Sequence, residues 1–173
     1  VTGNSRFGCW ICTMVKEDKS LKAFIDKGEK WLIPLRDYRN WMLEMRSTPG
    51  AREYKRRNGA MYRKTDGNLG EGPFTMETRQ EMLRRLLQLE VDTGLSLITI
   101  EELKYIDLLW DSEGDLTRRK LVDIYYETTG KLLPWDQYKV SVFSEEVIDE
   151  IHKLCEENQV EFELISKLII EIE

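Results

Sequence analysis

Cys9 and Cys12 close the run Gly3-Asn4-Ser5-Arg6-Phe7-Gly8-Cys9-Trp10-Ile11-Cys12-Thr13 with two residues between them. A Cys-x-x-Cys pair on a glycine-flanked loop can turn both sulfurs toward one metal, and glycine leaves room for backbone N–H groups to approach them. Three chemistries fit this spacing: half of an iron–sulfur cluster site, half of a zinc site, or a redox dithiol. Two unconnected thiols in a tight turn satisfy it as well. A cluster or a structural zinc ion takes four ligands. The chain has three cysteines and one histidine, which leaves Cys155 and His152 as the further sulfur and imidazole donors. A zinc site from Cys9, Cys12, His152 and Cys155 is therefore a candidate. Helical geometry opposes it, because Cys155 belongs to an apolar stripe and lies about 60° around the helix from His152. If Cys9 and Cys12 hold a cluster, its other ligands are expected upstream of Val1.

The second chemical signal is electrostatic. Arg52, Lys55, Arg56, Arg57, Arg63 and Lys64 place six cations against the single carboxylate of Glu53 in thirteen residues. Such a run suits contact with a phosphate backbone, where each neutralised phosphate releases counterions. Tyr54 and Tyr62 are placed to touch sugars or stack on a base. The alternative is a solvated helix face that pairs with the acidic C-terminal part of the chain. Residues 1–64 carry a balance of +8 and residues 65–173 one of −14, giving the net charge of −6. That division suits either a basic surface facing an anion or two faces of one domain that attract each other.

Other chemistries find no motif. The glycine-rich stretch 65–73 lacks the Gly-Lys-Ser/Thr of a phosphate-binding loop. One histidine without a partner motif does not make a Ser-His-Asp set. The pairs Glu101-Glu102, Glu145-Glu146 and Glu156-Glu157 fall at helix ends or on polar faces, where those at N-termini suit the helix dipole. Trp31, Trp41, Trp110 and Trp135 are expected in the core rather than as recognition platforms. An odd, small number of cysteines favours a reducing compartment. With no run of about 18 apolar residues and no signal peptide, the expectation is a cytoplasmic protein without a membrane partner.

The elements that must position these residues are mainly helical. At 173 residues with 41% hydrophobic and 34% charged side chains, the chain can build a real core. Ser20 is expected to cap a short helix bearing Leu21, Phe24 and Ile25 that Gly28 closes. Trp31, Leu32, Leu35, Tyr38, Trp41, Met42 and Met45 recur at helical spacing, and Pro34 fits only in the first turn of that helix. Thr48-Pro49-Gly50 breaks the chain, and Asn58-Gly59 is expected to turn within the basic stretch. Thr75 caps a helix with Met82, Leu83, Leu86, Leu87 and Val91 inward, ending at Gly94. Thr99 and Glu102 form a capping box, with Ile98 and Leu103 placed for a hydrophobic staple, at the start of a helix through Ile106 and Trp110. Asp115 is expected to cap the next helix, with Leu121, Val122 and Tyr125 inward and Gly130 beyond its end. Tyr138, Val140 and Val142 alternate as one short strand would. Ser144 caps a helix with Val147, Ile148, Ile151, Leu154 and Cys155 on one face, and Phe162, Ile165, Leu168, Ile169 and Ile172 mark the last helix.

The fold expected is thus mainly α, a multi-helix domain with at most one short strand or hairpin. Residues 1–15 form a cysteine-bearing loop and 16–173 a helical domain, with 65–73 as a possible subdomain boundary. Val1 opens inside the motif, so the chain reads as a piece of something longer. Residues 1–15 are expected to be loose when their upstream packing surface is missing.

The run GNSRFGCWICTMVKEDKSL resembles the region after the nucleotide-binding domain of the DndC-type sulfurtransferases of bacterial DNA phosphorothioation. That family is similar to phosphoadenosine phosphosulfate (PAPS) reductases and other enzymes of the ATP-pyrophosphatase fold. The resemblance continues through Trp31–Met45, the YKRRNG stretch and GEGPFTMETRQEMLRRLL; it is strongest over residues 3–90. SRFGCWxCT is its specific part. The resemblance implies the C-terminal part of a larger α/β enzyme that helps replace a non-bridging phosphate oxygen of DNA with sulfur. It implies a [4Fe–4S] cluster for which Cys9 and Cys12 match family cysteines, with Gly3, Asn4, Ser5, Arg6 and Gly8 as the loop around it. It also implies ATP and Mg²⁺ in an upstream domain, a cysteine desulfurase as sulfur donor, and other proteins of the phosphorothioation complex as partners. The SGGxDS-like pyrophosphate motif and enough cysteines for a whole cluster are absent from this sequence. By itself this portion is expected to neither hydrolyse ATP nor transfer sulfur. A helical module that binds nucleic acid or protein without catalysis, and a PAPS-reductase-like enzyme with another substrate, are the competing readings.

Overall fold

The computed structural model describes residues 10–56 and 59–172, which form two compact units, Val1–Leu95 and Ser96–Glu173. Both are built of helices, with no regular strand among the described residues.

The first unit holds α1 (Lys19–Asp26), α2 (Ile33–Met45) and α3 (Met76–Thr93). Asp18 rather than Ser20 caps α1, its carboxylate accepting from the Leu21 N–H at 3.0 Å. A carboxylate at this position also favours the positive end of the helix dipole, so the helix starts one residue before Ser20. A single 3-10 turn, Lys30–Leu32, leads directly into α2, and Pro34 occupies the first turn of α2 as its missing N–H requires. Leu21 and Ile25 of α1, Leu35 and Tyr38 of α2, and Leu83, Leu87 and Leu89 of α3 are buried. Each buried leucine contributes about 1.5–3 kcal/mol relative to exposure. Three side chains expected inside lie outside: Phe24, Trp31 and Val91 are each more than half exposed. Trp31 instead donates its Nε1–H to Glu29 at 2.9 Å. In α3, Leu89 takes the inward position expected of Val91.

Between α2 and α3 the chain runs out and back as a hairpin-like arm, described over residues 51–56 and 59–75. Antiparallel bridges join Arg52 to Phe74 and Arg63 to Leu69. The Glu53 N–H donates to the Pro73 carbonyl at 2.8 Å, Gly70 to Tyr62 at 2.8 Å, and Lys64 to Asn68 at 2.8 Å. On the outgoing side Arg56 donates to Ala60 at 2.9 Å and Gly59 to Arg56 at 2.8 Å. The described part of the basic stretch is therefore extended ribbon, not a helix face. Residues 65–73 close this ribbon within the first unit, and the two units divide at Leu95–Ser96.

The second unit holds α4 (Ile100–Glu113), α5 (Lys120–Thr129), α6 (Glu145–Glu157) and α7 (Phe162–Ile172), with α4 packed on α5 and α7, and α6 on α7. The capping box is complete: Thr99 accepts from the Glu102 N–H at 3.2 Å and Glu102 from the Thr99 N–H at 2.8 Å. These bonds hold the Glu102 carboxyl below its usual range. Asp115 does not stand at the N-cap of α5, which is Arg119. Its carboxylate ties the preceding turn, accepting from the N–H groups of Thr117, Arg118 and Lys120 at 2.9–3.1 Å. Gly114 has φ of +127°, and a Cβ there would stand 3.1 Å from the hydroxyl of buried Ser166, so glycine lets α7 approach the end of α4. The strand expected at Tyr138–Val142 does not form. Asp136–Tyr138 is a 3-10 turn, and Tyr138 and Val140 are more than three-quarters exposed with no strand partner. Alternation alone supplies no partner edge.

Candidate functional site: the cysteine loop and the basic ribbon

Cys9, Gly3, Asn4, Ser5, Arg6 and Gly8 lie outside the described residues, as does Arg57 of the basic stretch. Cys12 is described, as a free, half-buried thiol.

The segment after Cys12 is fastened to α2 rather than loose. Arg39 is fully buried, and its Nε donates to the Cys12 carbonyl at 3.1 Å. Its Nη1 donates to the Lys16 carbonyl at 3.0 Å and to Asn40 Oδ1 at 2.9 Å, and its Nη2 to the Val15 carbonyl. Arg46, the C-cap residue of α2, donates to the Thr13 carbonyl. The Trp10 ring lies 5.9 Å from Tyr38, tilted at 43°, and Tyr38 lies 5.9 Å from Trp41. Arg85 of α3 stacks over the Trp41 ring at 4.1 Å, and the Tyr38 hydroxyl donates to the Met82 carbonyl at 3.0 Å. An aromatic column thus joins the cysteine loop through α2 to α3. Sequence reading missed Arg39 and Arg46. The signal was a charged residue at position 39 inside the apolar stripe of Leu35, Tyr38 and Met42, where a solvated arginine does not belong.

Among the described residues, no group of three or more His, Cys, Asp or Glu side chains converges as metal ligands would. Cys12 itself suits a thiolate ligand: its sulfur is free and its backbone is fixed from one side. Cys155 and His152 do not present together. Cys155 is buried on the inner face of α6, whereas His152 is exposed and stacks on Phe162 with ring centroids 3.4 Å apart. The helical phase that opposes the four-residue zinc site is thus seen directly in α6.

The cations of the ribbon divide by role. Arg52 is held inward, donating from Nε to the Gly72 carbonyl at 2.8 Å, 3.5 Å from Glu71, and stacked 5.4 Å over Phe74. Lys55 is half-buried. Arg56 is exposed and lies 4.5 Å over the Tyr62 ring. Arg63 donates to the Gly67 carbonyl at 3.0 Å and Lys64 pairs with Glu71 at 3.2 Å, both in solvent. Tyr54 and Met61 stand beside them, each more than half exposed. Glu71, on the returning side of the same ribbon, pairs with both Arg52 and Lys64. The arm offers Arg56, Arg63 and Lys64 with aromatic faces between them, a combination suited to a polyanion.

No helix among the described residues is long and apolar enough to cross a membrane. No family model, curated protein or solved structure matches this chain.

Proposed function

We propose that this chain is the C-terminal, cluster-contributing region of a DndC-type sulfurtransferase that helps incorporate sulfur into the DNA backbone. The observation that carries this reading is the run Ser5-Arg6-Phe7-Gly8-Cys9-Trp10-Ile11-Cys12-Thr13. It is supported by the fixed backbone behind Cys12 and by the exposed basic ribbon in the same unit. Cys9 and Cys12 would hold part of a [4Fe–4S] cluster, with the other ligands supplied from upstream sequence along with the ATP and Mg²⁺ site. A bound cluster supplies redox and sulfur-handling chemistry. This chain's residues hold the loop in place and offer cations to DNA phosphates. A cysteine desulfurase as sulfur donor and further proteins of the complex complete the reading.

The test is the iron and acid-labile sulfide content of the protein extended upstream of Val1 and prepared without oxygen. About four of each per chain, lost when Cys9 and Cys12 are changed to Ser, is the expected result. A preparation without iron, unaltered by those changes, overturns it.

The exposure of Arg56, Arg63, Lys64 and Tyr54 favours a second reading, a non-catalytic module that binds nucleic acid through the ribbon. On that reading the protein binds DNA through the arm and neither carries iron nor changes the sulfur content of DNA in the cell.

A further inference from the structure

We propose that Arg39 is the positioning residue of the cysteine loop, setting the path of the chain out of Cys12 before any metal is bound. The inference rests on the sulfurtransferase reading only for what the loop holds.

Burying a guanidinium costs several kcal/mol unless its charge is answered. Arg39 is 0% exposed, and the hydrogen-bond partners of its guanidinium among the described residues are neutral groups. Its bonds go to one short stretch of backbone, the carbonyls of Cys12, Val15 and Lys16, and to Asn40 beside it on α2. Helix packing alone would be served better by leucine or methionine at this position. A planar fork of N–H donors is what three carbonyls turned toward one point require, because each donor direction is fixed relative to the others.

The neighbouring contacts act on the same stretch. Arg46 takes the Thr13 carbonyl, and Trp10 rests against Tyr38. Tyr38 and Arg39 of α2 and Arg46 at its C-cap thus hold residues 10, 12, 13, 15 and 16. With the Cys12 carbonyl fixed, the Cα–Cβ direction at Cys12 is restricted as well. A ligand whose backbone is already ordered loses less conformational entropy when metal binds, which is the advantage of a preorganised site.

Limited proteolysis of the metal-free chain tests this directly, comparing the native sequence with Arg39→Lys, which keeps the charge but not the fork. The expected result is tryptic cleavage about ten-fold or more faster after Lys16, whose carbonyl Arg39 holds, with cleavage after Arg84 and Arg85 in α3 unchanged. An unchanged rate at Lys16 overturns the proposal. Faster cleavage that extends to α3 also overturns it, because Arg39 would then act by general packing. If Arg39→Lys does not fold, Arg46→Ala decides, with a smaller rise at Lys16 expected and no rise counting against the clasp. In the iron-loaded, upstream-extended protein, Arg39→Lys is expected to speed iron release to a chelator. An unaltered release rate with a loosened loop would refute a positioning role toward the ligand. The proteolysis result stands whether or not iron is found, so its failure and that of the sulfurtransferase reading are told apart.

Discussion

Lys139 places its ammonium 2.9 Å from Asp107, with both side chains largely removed from water. The same ammonium lies 2.5 Å from Asp111, one turn further along α4, and the Trp135 indole donates to Asp107 at 2.8 Å. One cation therefore answers two carboxylates, and it fastens the segment after the Asp136–Tyr138 turn onto α4. Removing the cation strands both acids. Lys139→Met is expected to cost the second unit about 3–5 kcal/mol, whereas Asp111→Asn, which leaves the Lys139–Asp107 pair, should cost about 1 kcal/mol or less. The pH dependence has a definite sign. Burial pushes the Asp111 carboxyl up, against the opposing pull of Lys139. The native state then keeps a proton that the unfolded chain has released, and stability falls as pH rises from the ordinary carboxylate range toward the native pKa. Subtracting the stability curve of Asp111→Asn from that of the native sequence, in urea at a series of pH values, isolates this slope. A difference that is flat or rises with pH refutes the assignment.

Tyr38 supplies a second titration, at the alkaline end. Burial pushes its hydroxyl up to about 12, with Arg85 acting weakly the other way. The folded state holds the phenolic proton above the unfolded pKa near 10, so stability is lost as pH climbs between about 10 and 12. Tyr38→Phe should remove about 1–3 kcal/mol of that alkaline loss. At neutral pH the variant should cost about 1 kcal/mol through the bond to Met82. Ultraviolet titration should show a late-ionising phenol in the native protein that the variant lacks.

DNA binding through the ribbon would show in its salt dependence. Changing Arg56, Arg63 and Lys64 together to Ala should lower the slope of log affinity against log salt by about 3 on duplex DNA, uniformly across sequences. The first unit should stay folded, since these side chains face solvent and, among the described residues, their contacts lie within the arm. An unchanged slope removes the arm as the phosphate contact.

The shape of the ribbon depends on Gly72. A Cβ at that position would run into the backbone carbonyl of Lys55. Gly72→Ala should cost about 1–3 kcal/mol locally and expose the Glu53 and Gly70 amides to exchange. At Gly70 the obstacle is the Tyr62 ring, which can swing into solvent, so Gly70→Ala should be milder and should disturb the Arg56–Tyr62 contact instead. Equal protection of the ribbon amides in Gly72→Ala and the native protein would contradict the close approach.

Local chemistry made much of the helical frame legible from sequence. Thr75, the Thr99–Glu102 box and Ser144 mark helix starts because their side chains take up N–H groups that a first turn leaves free, and Pro34 marks another because its ring suits only that turn. Gly94 and Gly130, both left-handed, mark two helix ends. The Cys9–Cys12 spacing and the cation run at 52–64 were equally visible as residue types. What periodicity could not decide is which apolar positions meet a partner. Val91 and Leu154 follow the helical stripe yet lie exposed, while Leu89 is buried, because a stripe gives direction about an axis but not what stands opposite. Nor could it tell ribbon from helix at residues 51–56 and 60–64, where hydrogen bonds to residues 68–75 set the backbone. The clasp of Arg39 on Cys12 spans 27 residues and the tie of Trp135 to Asp107 spans 28. Partners so far apart leave no local spacing in the sequence, and only the folded chain brings them within a bond.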